Sequence, residues 1–481
     1  MRTLVFDSQI NWMRAAVIED GLLCEMHMSR ANDTDPTESL YLGVVKQIRP
    51  SLCAVFVDIG LEQNAFLPIQ EGEQIRCGDE IIVQGAAKQA VDSKGLRVTR
   101  RINLSGKSIV LIPGETGVHI SKKIKDAEHR ALLFDAGCSV CPEGYGLIVR
   151  TASLDLTEQM MRNEAQTLCS RWENARLKAR GMKAPGLVWA HPALDEQMIR
   201  DLSGRDLNRI VTNQKKQYER LLIWQDAGFI LQQTDIELHD EMRRGLVFDA
   251  FGAETQLDKA LKKRVWLPGG GYLIIDSCEA MTVIDVNSGK MSIGKGIEET
   301  ALQVNMEAAV EIARQIRLRN TGGMIVIDFI DMKLPQNRDK VQERLSASVS
   351  GDTSKVEVHG FTRLGLMELT RRREKAELRK QMRVSCSYCS GAGELLSGEA
   401  VAVKALQQIR RLSSAGQRGP FLVRCAKAAA DALTSMINPL EEADIYVLPS
   451  GMHAERTEIE QISCGAKGPD GAFALCRRKD I

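Results

Sequence analysis

Three apolar runs in this chain end in an acidic residue: Tyr272-Leu-Ile-Ile-Asp276, Met281-Thr-Val-Ile-Asp285 and Met324-Ile-Val-Ile-Asp328. Carboxylates at strand ends can converge on one edge of a sheet, where hard oxygen ligands suit Mg²⁺. Such an ion activates water and stabilises charge on a phosphate during in-line attack. Asn287 lies two residues beyond Asp285 and shares its face if the strand continues, so its amide can ligate or orient that carboxylate. Asp and Asn are also favoured turn formers at strand ends. The pattern alone does not separate the two readings.

A second chemistry is written in Cys386-x-x-Cys389, followed by Gly391. Two thiols in one tight turn, with glycine letting backbone N–H groups face the sulfurs, make a metal knuckle. Zinc needs four ligands and this knuckle supplies two. Cys138-x-x-Cys141 is a second pair. Either the two pairs meet within one chain, or one pair meets its twin across a dimer. Phe56 and Phe66 are aromatics that can stack with bases if exposed, though strand aromatics more often fill a core. Lys94 precedes Gly95 in a turn and is either solvated or a phosphate contact. The run Arg371-Arg-Arg373-Glu-Lys, continued by Arg379, Lys380 and Arg383, is strongly cationic and would attract phosphates beside a nuclease centre. No P-loop, dinucleotide fingerprint, His-Glu-x-x-His or nucleophile elbow is present.

The elements that must position these residues follow from periodicity. Between about Glu38 and Leu104, five short strands separated by turn residues suit a small closed barrel of the oligonucleotide-binding type. Residues 105 to 195 mix strands at Ile109 and Gly146 with a polar-faced helix from Asp155 to Ala179. The Asp285 and Asp328 strands flank a helix from about Ile297 to Arg319, on which Val304, Ala308, Ala309, Ile312, Ala313 and Ile316 recur at helical spacing. Strand, helix, strand with continuous apolar runs predicts a covered sheet. The tail from 398 carries one further helix–strand unit, Ala426 to Ile437 and then Ile445-Tyr-Val-Leu.

At 481 residues, three or four domains are expected. With 26% charged and 44% apolar residues the composition is that of a globular protein, and a net charge of +1 does not advertise a nucleic-acid partner. Any RNA-binding charge must be concentrated locally. The first residues carry no cationic leader with an apolar core, and no run approaches a membrane span, so a cytoplasmic location is expected. Twelve scattered cysteines read as reduced thiols.

Taken together, Phe56-Val-Asp-Ile-Gly with Asn64-Ala-Phe-Leu-Pro, Leu147-Ile-Val-Arg-Thr-Ala, Thr282-Val-Ile-Asp-Val-Asn-Ser-Gly-Lys, Gly322-Gly-Met-Ile-Val-Ile-Asp-Phe-Ile-Asp-Met and the CxxC-x-Gly knuckle resemble the ribonuclease E/G family, in order and over nearly the whole chain. The resemblance implies a multidomain α+β and α/β protein. An RNase H-like domain at 1–35 and 196–258 would be interrupted by an S1 (OB-type) barrel at 36–104 and a 5′-sensor region at 105–195. A DNase I-like catalytic α/β domain at 259–383, a zinc link at 384–397 and a small C-terminal α/β domain at 398–481 would follow.

The implied activity is an endoribonuclease that cuts single-stranded RNA to 5′-phosphate and 3′-hydroxyl ends, in rRNA processing and mRNA decay. Asp285 and Asp328 would hold the catalytic Mg²⁺, with Asn287 positioning the first carboxylate and Asp276 left as a structural residue. Phe56, Phe66 and Lys94 would close RNA onto the site from the S1 barrel, and Arg371 and Arg373 would contact it. Arg150, Thr151, Gly106, Val110 and Lys355 would sense a 5′-monophosphate. Cys386 and Cys389 would give half of a Cys₄ Zn²⁺ site completed by a second protomer, making a homodimer or a higher oligomer built from it. Three departures stand out. Ser387 replaces the usual knuckle proline, Lys355 replaces a sensor arginine with a point charge, and Cys138 and Cys141 have no counterpart. The polar scaffolding tail of the family's larger enzymes is missing, which leaves no direct grounds for a degradosome role. Two other classes remain in play: a non-catalytic S1-type RNA-binding protein and a metal phosphodiesterase acting on DNA.

Overall fold

The computed structural model describes residues 1–30, 36–69, 75–86, 96–122, 124, 126–150, 153, 157–202, 207–289, 296–373, 376–417, 420–436, 445–462 and 472–476. The chain divides into two compact units, Met1–Met382 and Arg383–Ile481.

Among the described residues, four sheets build the first unit. The strands Arg2–Ser8, Trp12–Glu19 and Leu22–Arg30 form an antiparallel meander. The first of them also pairs in parallel with Leu207–Thr212, which pairs in turn with Asp235–Leu238. Sequence-distant segments therefore complete one sheet, and the chain between them is free to form other bodies.

The first of those bodies is the barrel. All five expected strands are present, at Leu40–Arg49, Ala54–Asp58, Ala65–Pro68, Glu80–Gly85 and Val98–Thr99. The Phe66 N–H donates to Leu96 O at 2.8 Å and ties the third strand to the last. A sixth strand, Gly186–Trp189, pairs with Leu40–Leu42 from the far side of the next body. Val55, Val57, Ala65 and Leu67 fill the interior at no more than 1% exposure. That alternation leaves Phe56 and Phe66 on the outer face.

The next sheet joins Leu104–Ser105, Ile109–Pro113, Tyr145–Val149 and Gly117–Ile120. Helices Ala127–Val140 and Glu158–Gly181 accompany it. The shorter helix has no strong apolar stripe to reveal it in the sequence. Its start is set by Asp126, whose side chain accepts from the Glu128 and His129 N–H groups.

The sheet that carries the acidic strand ends has six strands, Arg264–Trp266, Tyr272–Ser277, Met281–Asn287, Gly323–Asp328, Met367–Arg371 and Val356–Phe361, in that spatial order. Helices Ile297–Leu318 and Pro335–Val349 pack on one face. Val304, Ala308, Ala309, Ile312, Ala313 and Ile316 are buried there as the periodicity requires. The expectation of a fully covered sheet is corrected. Thr282, Ile284 and Val286 face the helices, but Val283 and Met324 on the other face are 37% and 50% exposed. Their runs are apolar throughout, yet only alternate residues reach the core.

The second unit holds helix Gly398–Ser414 and a four-stranded sheet of Thr457–Gln461, Phe421–Ala426, Ile445–Ser450 and Phe473–Cys476, with helix Lys427–Ser435 between two of the strands. It is larger than the single helix–strand unit read from sequence. Among the described residues no helix is long and apolar enough to cross a membrane.

Candidate active site

Met281–Asn287 and Gly323–Asp328 run parallel, and the register places Asp285 directly beside Asp328. Paired positions share a face, so both carboxylates stand on the open side of the sheet. Asp285 is half-buried and Asp328 exposed. Asn287 Nδ2 donates to Asp285 Oδ2 at 2.7 Å, fixing that carboxylate while leaving its other oxygen free of the amide.

Asp276 is not part of this group. Its strand is antiparallel to the Asp285 strand, and it pairs with Val283, so its run ends at the opposite edge of the sheet. There it is bonded to Lys263 Nζ at 2.7 Å.

The chain around the carboxylates is held from behind. Asn305 is fully buried on the helix that covers the sheet. Its amide accepts from Ile330 N at 3.0 Å and donates to Ile330 O at 2.8 Å, which fixes the path just beyond Asp328. Glu298 accepts from the N–H groups of Lys333 and Leu334 and from Asn337 Nδ2. Those bonds, the Lys333 N–H foremost, hold its carboxyl below the ordinary range. At the end of the Asp285 strand, Gly289 has φ +60°, and a Cβ there would lie 2.3 Å from Gly270 O. Only glycine allows the two turns to meet so closely. Asn305 and Glu298 were not read from the sequence. A polar residue inside the apolar stripe Ala301, Val304, Ala308 was the available signal.

Two adjacent carboxylates, one oriented by an amide, form a hard-oxygen donor set. This fits Mg²⁺, which is commonly held by one or two carboxylates and completed by water and substrate phosphates. No cluster of three or more His, Cys, Asp or Glu side chains suited to a metal occurs among the described residues.

Residues 103–374 match the profile of the Ribonuclease E/G family. A ribonuclease G from Escherichia coli K12 is 32% identical over 456 residues, spanning 90% of this chain and 93% of that protein. A ribonuclease G from Haemophilus influenzae is 33% identical over 444 residues, 88% of this chain and 90% of that protein. A ribonuclease E from Synechocystis sp. PCC 6803 is 34% identical over 375 residues, 74% of this chain and 55% of that protein. The chain belongs to the ribonuclease E/G family.

The remaining residues named from the sequence of this family member fall into separate groups. Phe56 and Phe66 are cross-strand partners on the outside of the barrel, their rings 6.0 Å apart and edge-to-face. Both are partly exposed. Lys94 and Thr151 lie outside the described residues.

Arg150, Gly106 and Val110 do come together. Arg150 follows the Tyr145–Val149 strand, whose Ile148 pairs with Val110. Arg150 Nη1 donates to Gly106 O at 2.7 Å, and its backbone N–H donates to Ser108 O at 2.7 Å. The Gly106–Ser108 turn is gripped by the buried Glu164, which accepts from the N–H groups of Lys107 and Ser108 and from Ser108 Oγ. Lys355 belongs to a different sheet. It precedes the edge strand Val356–Phe361 and is ion-paired with Glu357.

Arg371 is a correction. Its guanidinium is buried at 4% exposure and bonds Asp352 through two nitrogens, at 2.8 and 3.1 Å, and Asn320 and Thr321 through the third. It ties the sheet to the turn after the long helix and presents no free donor face to RNA. Arg373 is exposed, with Nε donating to Gly322 O at 2.8 Å.

In the second unit, Cys386 is exposed and Cys389 partly exposed in one tight turn. The Cys389 and Tyr388 N–H groups point at the Cys386 sulfur and lower its pKa. Gly393 N–H donates to Cys389 Sγ at 3.3 Å. Tyr388 stacks on His453 with ring centres 4.4 Å apart, and its hydroxyl accepts from Ala454 N, so the knuckle is anchored within its own unit. The pair fits half of a tetrahedral zinc site. Cys138 and Cys141 sit at the end of helix Ala127–Val140 in the first unit. Cys141 donates to Tyr145 O at 3.2 Å, and burial, then the neighbouring Cys138 and Cys169, push its thiol pKa up. Cys141 is partly exposed and Cys138 exposed, and a raised pKa keeps the Cys141 thiol protonated and less reactive.

Proposed function

We propose that this protein is a magnesium-dependent endoribonuclease that cuts single-stranded RNA to 5′-phosphate and 3′-hydroxyl ends. The observation that carries the reading is the side-by-side register of Asp285 and Asp328 on an open sheet face, in a chain whose full-length relatives are named ribonucleases. Asp285 and Asp328 would hold the ion. When bound, Mg²⁺ supplies an activated water and neutralises charge on the phosphate. Asn287 keeps one Asp285 oxygen turned to its own amide, so the other stays aimed outward. Asn305 holds the backbone after Asp328 still, so the two carboxylates keep their spacing as RNA enters.

The outer-face pair Phe56 and Phe66 supports base stacking by the barrel, a sequence-tolerant grip suited to single strands. Exposed Arg373 supplies charge toward the backbone, while Arg371 serves the fold. The Arg150 guanidinium at the strand end, beside Gly106 and Val110, is suited to terminal phosphate oxygens that an internal phosphate lacks. We assign it, with Thr151, to sensing a 5′-monophosphate, and Lys355 to a weaker charge contribution. Cys386 and Cys389 would share Zn²⁺ with the same pair of a second copy. We extend this reading to rRNA processing and mRNA decay, the roles that the family resemblance implies.

The test is cleavage of one short 5′-monophosphorylated RNA with and without Mg²⁺, with both product ends mapped. Cleavage that needs Mg²⁺ and leaves 5′-phosphate and 3′-hydroxyl ends is expected. RNA bound but never cut would favour the S1-type binding protein, and equal cutting of DNA would favour a general phosphodiesterase.

A further inference from the structure

The open face of the catalytic sheet carries a second group that none of the roles above uses. Arg264–Trp266 is the edge strand, followed spatially by Tyr272–Ser277 and then by Met281–Asn287. The registers run in two straight rows. Arg264 pairs with Ile274, which pairs with Asp285, which pairs with Asp328. Trp266 pairs with Tyr272, which pairs with Asn287. Residues in one row project from one face. Leu273 and Ile275 between them go to the core, which confirms the alternation. Trp266 and Arg264 therefore stand on the same open face as the carboxylates, two strand spacings away, on the order of 10 Å.

The group is shaped like a recognition element. Trp266 is 62% exposed, an uncommon state for the largest apolar side chain. Its ring meets Tyr272 edge-to-face with centres 5.3 Å apart. The Arg264 guanidinium lies over both rings, 4.7 Å from the centre of Tyr272 and 5.8 Å from that of Trp266. Arg264 makes no carboxylate ion pair among the described residues, so its charge is stacked but not neutralised. The backbone beneath is firm. The turn that joins the two strands closes through Leu267 N to Gly271 O at 2.8 Å, and Gly269 N donates to Glu307 Oε2 at 2.8 Å. A rigid aromatic pair in the row of Asn287, crowned by a cation in the row of Asp285 and Asp328, is complementary to a nucleobase and its phosphate.

We propose that Trp266, Tyr272 and Arg264 form a base-stacking subsite for a nucleotide flanking the bond cut at Asp285 and Asp328. It takes any base, because every base offers a π-face, and it sets how the strand lies across the sheet. The inference rests on the ribonuclease reading above. The rival occupant of the same exposed ring is a second copy of this chain.

The test is equilibrium binding of a labelled single-stranded RNA to the full-length protein carrying Asp328→Asn, which keeps RNA from being cut. Trp266→Ala in that background weakens binding roughly tenfold, within the range for loss of one stacking aromatic, and Trp266→Phe recovers most of it. The RNA is then varied by removing one base at a time. At one position flanking the cleavage site, the abasic RNA binds the Trp266 protein roughly tenfold more weakly than intact RNA. The same abasic RNA binds the Trp266→Ala protein no more weakly than intact RNA does. An unchanged affinity in Trp266→Ala, or an abasic penalty equal in both proteins at every position, overturns the proposal. A loss accompanied by a change of sedimenting mass assigns the ring to contact between copies and overturns it as well. Cleavage by the unaltered protein, run alongside, separates the two readings. Failure to cut any RNA defeats the ribonuclease function, whereas the abasic cycle reads the subsite by itself.

Discussion

Asp285 and Asp328 were visible in the sequence because each closes an apolar run, but so does Asp276, and only strand direction tells them apart. An antiparallel neighbour turns its last residue to the other edge of the sheet, and no local pattern records that. Arg371 misled for a related reason. In the run Arg371-Arg-Arg373 three identical side chains read as one cationic patch, whereas the strand buries the first against Asp352 and exposes the other two. The different roles make a stability prediction. Arg371→Ala leaves Asp352 buried without its partner and should cost about 3–5 kcal/mol. Exposed Arg373→Ala should cost under about 1 kcal/mol. Denaturant unfolding of the two variants checks this, and equal stabilities would contradict the burial assigned to Arg371.

At the scale of elements, periodicity located the long helix Ile297–Leu318 and the five barrel strands, since each has an apolar face set by one core. It did not locate the helix Ala127–Val140, whose apolar residues do not line up on one side, nor the strand Gly186–Trp189, whose partner lies far away in sequence. The strand Tyr145–Val149 was legible, and with it the placement of Arg150 at its end. What the sequence withheld was the Glu164 grip on the Gly106–Ser108 turn, because a glutamate on a polar-faced helix looks solvated. The element makes its own prediction. Cleavage should be faster on RNA with a 5′-monophosphate than with a 5′-hydroxyl, and Arg150→Ala should bring the two rates together while sparing the 5′-hydroxyl rate. A variant that slowed both RNAs equally would place Arg150 in general RNA binding instead of end sensing.

Across the whole molecule, the parallel pairing of Arg2–Ser8 with Leu207–Thr212 means that the barrel and the next sheet lie in the chain between two neighbouring strands of the first sheet. That long-range closure brings Arg2–Ser8, Leu207–Thr212 and Asp235–Leu238 into one sheet, and composition could not have shown it. The Cys386–Cys389 turn, which we propose holds zinc, is the other feature that reaches beyond local pattern. Its two thiols would supply two ligands from their own unit, and a tetrahedral ion needs two more. Zinc analysis of the purified protein should give about half an ion per chain, and chelation should dissociate the oligomer. One ion per chain that persists in a monomer after dilution would mean that all four ligands come from a single chain.

The claim on which the rest depends is that Asp285 and Asp328 act as a pair on RNA. Its most direct test is cleavage and binding of one single-stranded RNA by the purified Asp285→Asn and Asp328→Asn proteins. Each substitution keeps the side-chain shape and removes the charge. Loss of the several kcal/mol that a bound ion contributes corresponds to a rate lower by roughly a thousandfold or more, with RNA affinity retained. Cleavage at the unaltered rate by either variant would contradict the account.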